Sequence, residues 1–200
     1  MKDLAVLIRT YFDYKNLEAF IEKEKSQGGL KESLILVTFA QLISFFAISL
    51  ATIIGSFFSA ELASYLSPAS FAALLVFAVI GVLFFYIFSG ILFILSKILG
   101  GKGSFSSQSY ALSVIMLAAT AVSFPVSLFM HVEAVGILIS LISLALTLYM
   151  VYAQYKTMKA VHQLSWIKAA AVVGVLWLAI FAFLVTMMML LMMGPVPVPV

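Results

Sequence analysis

The chain is 200 residues long, 64% of them hydrophobic and 10% charged, with no cysteine. A soluble domain carries about 25% charged residues; a chain this apolar has too little polar surface to face water, so its solvent is lipid. The missing thiols exclude disulfides, thiolate metal sites and cysteine nucleophiles, and the net charge of +3 is informative through its distribution rather than its size.

Residues 1–32 are the only long stretch of soluble composition and are expected to form a cytoplasmic amphipathic helical segment. Leu4, Leu7, Ile8 and Tyr11 recur at helical spacing, as do Leu17, Phe20 and Ile21. On one helix the two sets face different ways, which predicts a break at 13–16 with Asn16 capping a second helix. Gly28 and Gly29 then supply a stop. Such helices either lie on the membrane surface or pack on the ends of spanning helices. Charges scattered through the segment do not read as a cleaved signal peptide, so the first apolar block is expected to serve as an uncleaved signal-anchor.

Residues 33–194 read as a five-span domain, with spans at about 34–58, 69–95, 110–130, 134–155 and 169–193. A run of ~20 apolar residues crosses ~30 Å of hydrocarbon as helix. Ser33, Ser67 (with Pro68 in the first helical position) and Ser165 are expected N-caps. Lys97 closes the second span. Pro125 cannot donate to the Ala121 carbonyl, which predicts a kink near the far end of the third. Residues 195–200, rich in Pro and Val, are expected to be an extended extracytoplasmic tail. Short connections make sequential helices antiparallel neighbours, so the predicted fold is an all-α polytopic bundle. Ala51 with Gly55, Gly136 with Ser140, and Ala170 with Gly174 offer faces for close helix approach.

Orientation follows from the positive-inside rule. With the N-terminus inside, the N-terminal segment, the central turn and the loop after the fourth span hold six, two and three basic residues, which is all eleven. The opposite side holds Glu61, His131 and Glu133 and no Lys or Arg. The expected topology is a cell-membrane protein with N-terminus cytoplasmic and C-terminus extracytoplasmic.

The central turn, LSKILGGKGSF at 95–105, resembles a phosphate-binding loop only superficially. A Walker loop needs glycine five positions before its Gly-Lys pair and Ser or Thr directly after it, whereas Ser96 and Gly103 stand there. The better reading is a tight interfacial turn. Its Lys97, Gly100, Gly101, Lys102 and Gly103, with Lys156, Lys159 and Lys168 of the last basic loop, are the interaction or interfacial candidates. No Asp, Glu, Lys or Arg falls inside an expected span, which weighs against an ion-coupled transporter. Gln41, Ser44, Thr52, Ser89, Thr120, Ser123, Ser140, Ser143 and Thr147 are expected to join helices by hydrogen bonds. His131 with Glu133, and the isolated His162, are too few for a metal site. Met188 with Met192 and Met189 with Met193 read as apolar filling rather than thioether ligands. No nucleophile–base–acid arrangement is present. The basic residues are too few and too close to the membrane for a nucleic-acid surface. The chain is expected to have no catalytic residues, cofactor or metal.

With the turn and its flanks in view, the sequence resembles the Yip family (Ypt-interacting proteins), in its prokaryotic branch. The resemblance rests on LSKILGGKGSF, the polar start of the third span at Ser107 to Tyr110, Pro125, and the basic stretch KTMKAVHQLSWIKA at 156–169. It implies an amphipathic N-terminal segment, five spans, and a glycine-lysine turn between the second and third. In eukaryotic relatives it implies trafficking, binding of small GTPases and membrane shaping. Their cytosolic Asp-Leu-Tyr-Gly-Pro stretch is absent here, which argues against GTPase binding. The expected function is non-enzymatic organisation of membrane proteins or lipids, with the bilayer, other membrane proteins or further copies of the chain as partners. The alternative is a channel or transporter for a small uncharged or hydrophobic solute.

Overall fold

The computed structural model describes residues 8–10, 13, 15–57, 66–129, 132 and 135–192, with side chains to 189. The expectations for Leu4, Leu7, Tyr11, Glu61, His131, Glu133, Met193 and the Pro/Val tail, and for the Met192 side chain, fall outside that description. The named helices are α1 (Leu17–Glu24), α2 (Leu30–Ser56), α3 (Pro68–Ile98), α4 (Phe105–Ser127), α5 (Gly136–His162) and α6 (Trp166–Met192). Helices α2 to α6 are each long and apolar enough to cross a membrane. The chain is an all-α polytopic bundle.

Local chemistry explains most boundaries. Asn16 occupies the N-cap of α1, with its side chain turned back to donate to Asp13 Oδ2 at 2.7 Å. At α3, Ser67 Oγ accepts from Ser70 N and Pro68 takes the first position. At α4, Ser104 Oγ accepts from Ser107 N at 3.1 Å. The Ser165 carbonyl accepts from Ala169 N at 3.0 Å, opening α6.

Two boundaries correct the sequence reading. Helix α2 is capped at Gly29, not Ser33: Gly29 N donates to Glu32 Oε2 at 2.8 Å, half of a capping box that a glycine N-cap completes no further. Lys97 lies in the last turn of α3. Lys156, Lys159 and His162 lie on α5, which runs on to His162 instead of ending near 155. Pro125 sits in the last turn of α4, which remains helical to Ser127.

Helix α4 is the centre of the bundle, packing against α2 most extensively and also against α5, α3 and α1. Its first half is the most deeply buried stretch, from Gln108 to Ile115. Three apolar clusters surround it. Leu17 and Ile21 of α1 meet Ala111, Ile115, Ala153 and Ala160. Leu92, Leu112, Met158, Val172 and Leu176 join α3 to α6. Ala40, Tyr110, Val114 and Leu117 lock α2 to α4. Close backbone approach is used where Gly28 lies against the Tyr110 ring, which a Cβ there would strike.

Of the predicted small-residue faces, Ala51 and Gly55 are buried, but Ser140 and Ala170 are exposed, and a Cβ on Gly136 or Gly174 would meet nothing within 4 Å. Those two faces point out of the bundle instead of joining its helices.

Candidate functional site at the basic end of the bundle

The turn between α3 and α4 is shaped by its glycines. Gly100, with φ 88°, takes the left-handed conformation that ends α3, where a side chain would be strained. Gly101 N then donates to the Ser96 carbonyl at 2.8 Å, and Lys102 N to the His162 carbonyl at 3.0 Å. The turn is thus bonded both to its own helix and to the end of α5. A Cβ on Gly101 would stand 2.8 Å from Ser96 O and 2.9 Å from His162 Cβ; one on Gly103 would stand 2.6 Å from Val161 O. Such distances are closer than side-chain carbons tolerate, so both positions require glycine to let the turn seat on α5.

Beneath the turn lies a buried polar network. His162, Gln108, Ser89 and Ser109 are all at most 1% exposed. Gln108 Nε2 donates to the Ser89 carbonyl at 2.6 Å, and Ser89 Oγ and Ser109 Oγ lie 2.9 Å apart. A carbonyl only accepts, so the Gln108 amide nitrogen faces Ser89 and its Oε1 faces His162, 2.7 Å away. His162 Nε2 therefore carries the proton, and Nδ1 is a buried acceptor with no hydrogen-bond donor among the described residues. The ring is held against Phe93, centroids 5.8 Å apart. His162 is not isolated, as its place in the sequence suggested; it is the keystone between α3, α4 and α5.

Helix α1 closes the same end. Of the two N-terminal helices expected from the sequence, the second packs on the bundle: Leu17, Ile21 and Glu24 are buried against it. Glu18 forms ion pairs with Lys156 at 3.1 Å and Lys159 at 2.9 Å. Burial pushes the Glu18 carboxyl up, but the hydrogen bonds and charges of Lys159 and Lys156 outweigh it and hold the group below the ordinary carboxylate value. Lys25 Nζ donates to the Ala160 carbonyl at 3.0 Å, near the end of α5, and Tyr110 Oη donates to Glu24 Oε2 at 3.4 Å.

The candidate residues divide accordingly. Lys156 and Lys159 hold α1, and Lys168 Nζ caps the end of α3 at the Leu99 carbonyl, 2.8 Å away. Lys97 lies over the Phe93 ring, 5.4 Å from its centroid. Lys102 is exposed at the tip of the turn, beside a cleft of about 290 Å³ lined by Lys25, Lys102, Ser104, Ser107 and Gln163. Gln108, Ser89 and Ser109 were not singled out together by the sequence; the only hint was the polar start of the third span. Among the described residues, no group of three His, Asp or Glu is placed to hold a metal ion. The arrangement clamps helices and presents cations.

Five long apolar helices with α4 central among them, closed at one end by a glycine-lysine turn and an amphipathic helix, define a multi-pass α-helical membrane protein. The Yip1 domain family model matches residues 16–188, from the cap of α1 to near the end of α6, and the chain belongs to that family. No curated protein and no solved structure matches the chain.

Proposed function

We propose that this chain is a non-enzymatic organiser of membrane proteins or lipids, of the prokaryotic branch of its family, with its basic end cytoplasmic. The observation that carries the reading is the construction of that end. Helix α1, the glycine turn and the α5–α6 junction are locked together by hydrogen bonds and ion pairs, while Lys97 and Lys102 stay exposed. A rigid cationic face beside the membrane suits anionic headgroups or an acidic partner surface, each lysine near such a surface contributing about 1 kcal/mol. The outward small-residue faces at Gly136/Ser140 and Ala170/Gly174 suit contact with another spanning helix. Affinity capture of the full chain from gently solubilised membranes is the test. A reproducible membrane-protein partner, a homo-oligomer or enriched anionic lipid supports the reading; a lone monomer indifferent to lipid charge contradicts it.

One observation favours the channel or transporter reading. A cleft of about 250 Å³ between α4 and α5 is lined by Ser123, Ser127, Ser143 and Thr147. Two of those hydroxyls are spent on their own helices, Ser127 on the Phe124 carbonyl and Thr147 on the Ser143 carbonyl. Solute flux in reconstituted vesicles above that of empty ones would favour transport over organisation.

A further inference from the structure

A second cleft, also of about 250 Å³, lies among α3, α4, α5 and α6, above the polar network and sharing Ser89 with it. These four helices are neighbours in a ring, α3 to α4 to α5 to α6 and back to α3. The cleft is therefore lined from all four helices, with the buried Leu92, Leu112 and Leu176 among its walls. Its walls are mainly Phe85, Phe88, Ile115, Met150 and Ile180. A cavity of ~150 Å³ with such a lining stays dry and takes up benzene, so this one has room for a segment of an apolar chain.

One polar group in the wall is half used. Trp177 Nε1 donates to Gln154 Oε1 at 2.9 Å. An indole N–H only donates, which fixes the orientation of the Gln154 amide: its oxygen faces Trp177 and its NH₂ faces away. That nitrogen finds no acceptor among the described residues, and it is not sealed in the protein. Inside a bilayer an unpaired amide donor costs free energy that water cannot relieve.

The depth of Gln154 indicates what could relieve it. Helix α5 has 27 residues and at 1.5 Å per residue is about 40 Å long, roughly 10 Å more than the hydrocarbon core. Its charged and imidazole side chains, Lys156, Lys159 and His162, all lie in the last seven residues, so the excess belongs at that end. The hydrocarbon boundary then falls near Lys156, with Gln154 two residues inside it, about 3 Å deeper. That is the level at which a glycerolipid chain is joined to its head through an ester or ether oxygen.

We propose that this cleft is a binding site for one chain of a membrane glycerolipid, the chain filling the apolar walls and its glycerol-linked oxygen accepting from the Gln154 amide. The site is separate from the cationic face described above: failure of the capture experiment leaves it standing, and its own failure leaves that reading untouched.

The test uses the full chain in lipid nanodiscs containing a phospholipid with a diazirine in one chain, photolysed and mapped by peptide mass spectrometry. The expected result is adducts on Met116, Met150 and Ile180, falling at least threefold in Gln154→Leu while adducts on the outward Phe77 and Leu178 stay constant. Met116→Phe, which occupies the space and keeps the amide, should lower the cleft adducts on Met150 and Ile180. If Gln154→Leu loses its thermal transition, Met116→Phe alone decides. Adducts confined to outward residues, or cleft adducts unchanged in the folded variants, would overturn the proposal.

Discussion

At the basic end, α1, α3, α4, α5 and α6 meet in a closed, hydrogen-bonded core; away from it, α3, α5 and α6 present apolar faces outward. Buried residues of α3 are Ser89, Leu92 and Ser96, those of α5 begin at Ala153, and the buried residues of α6 reach only to Leu176. Beyond them Ile137, Leu141, Phe181 and Leu184 are each more than half exposed. On α2, by contrast, the buried residues run on to Ala47, Ala51 and Gly55. The difference teaches where specificity is placed. Lipid supplies the apolar solvent for the open part, so packing there gains little, while the polar network pairs all its groups but His162 Nδ1 in one arrangement that fixes the helices' register.

The largest effect should come from the network. Gln108→Leu strands the His162 N–H in a dry site, removes the second donor to the Ser89 carbonyl, and is expected to cost about 1–3 kcal/mol in unfolding free energy. Thr147→Val, which removes a hydroxyl bonded only within its own helix, should change stability by less than about 0.5 kcal/mol. Equal losses in both variants would erase the contrast between the two regions.

A smaller effect is expected at α1. Glu18→Gln should loosen α1 by up to about 1 kcal/mol, the value of partly exposed ion pairs. Because the Glu18 carboxyl is held below its ordinary value of 4.5, its contribution is complete above that value and is lost as pH falls through the lower, folded one. Accessibility of a cysteine placed at Leu17 should therefore rise in acid below about pH 4.5 in the native protein, and show no such step in Glu18→Gln. The smallest effect on the fold should be at the exposed tip. Lys102→Gln should leave stability unchanged yet lower affinity for anionic vesicles about fivefold, as loss of ~1 kcal/mol requires. Vesicle co-sedimentation reads that change directly.

Much of this architecture is legible in the chain itself. The spans are long apolar runs, and Ser67-Pro68 and Asn16 mark helix starts through local chemistry that a single sequence displays. What stays hidden depends on distance along the chain. Lys156, Lys159 and His162 look like a loop by hydropathy, which measures tolerance of lipid and not helicity; α1 covers this end of the helix, and Glu18 neutralises its cations. Gln108 and His162 are 54 residues apart, and nothing in either neighbourhood announces the other. The small-residue pairs share one spacing, yet Ala51/Gly55 is buried and the other two pairs face outward, because spacing defines a face without naming what covers it. The glycines of the central turn were expected to serve a tight reversal. Only Gly100 uses the conformational freedom of glycine; Gly101 and Gly103 are needed for their missing side chains.

That last distinction gives the most direct measurement: one substitution, glycine to alanine, made at both kinds of position. Unfolding free energies in lipid bicelles would compare Gly101→Ala and Gly103→Ala with Gly90→Ala, Gly136→Ala and Gly174→Ala, where a Cβ meets nothing within 4 Å. The first two should lose about 1–3 kcal/mol by overpacking against His162, Ser96 and Val161. The other three should be unchanged or gain up to about 1 kcal/mol from helix propensity. Equal changes at all five positions would contradict a glycine turn locked onto the end of α5.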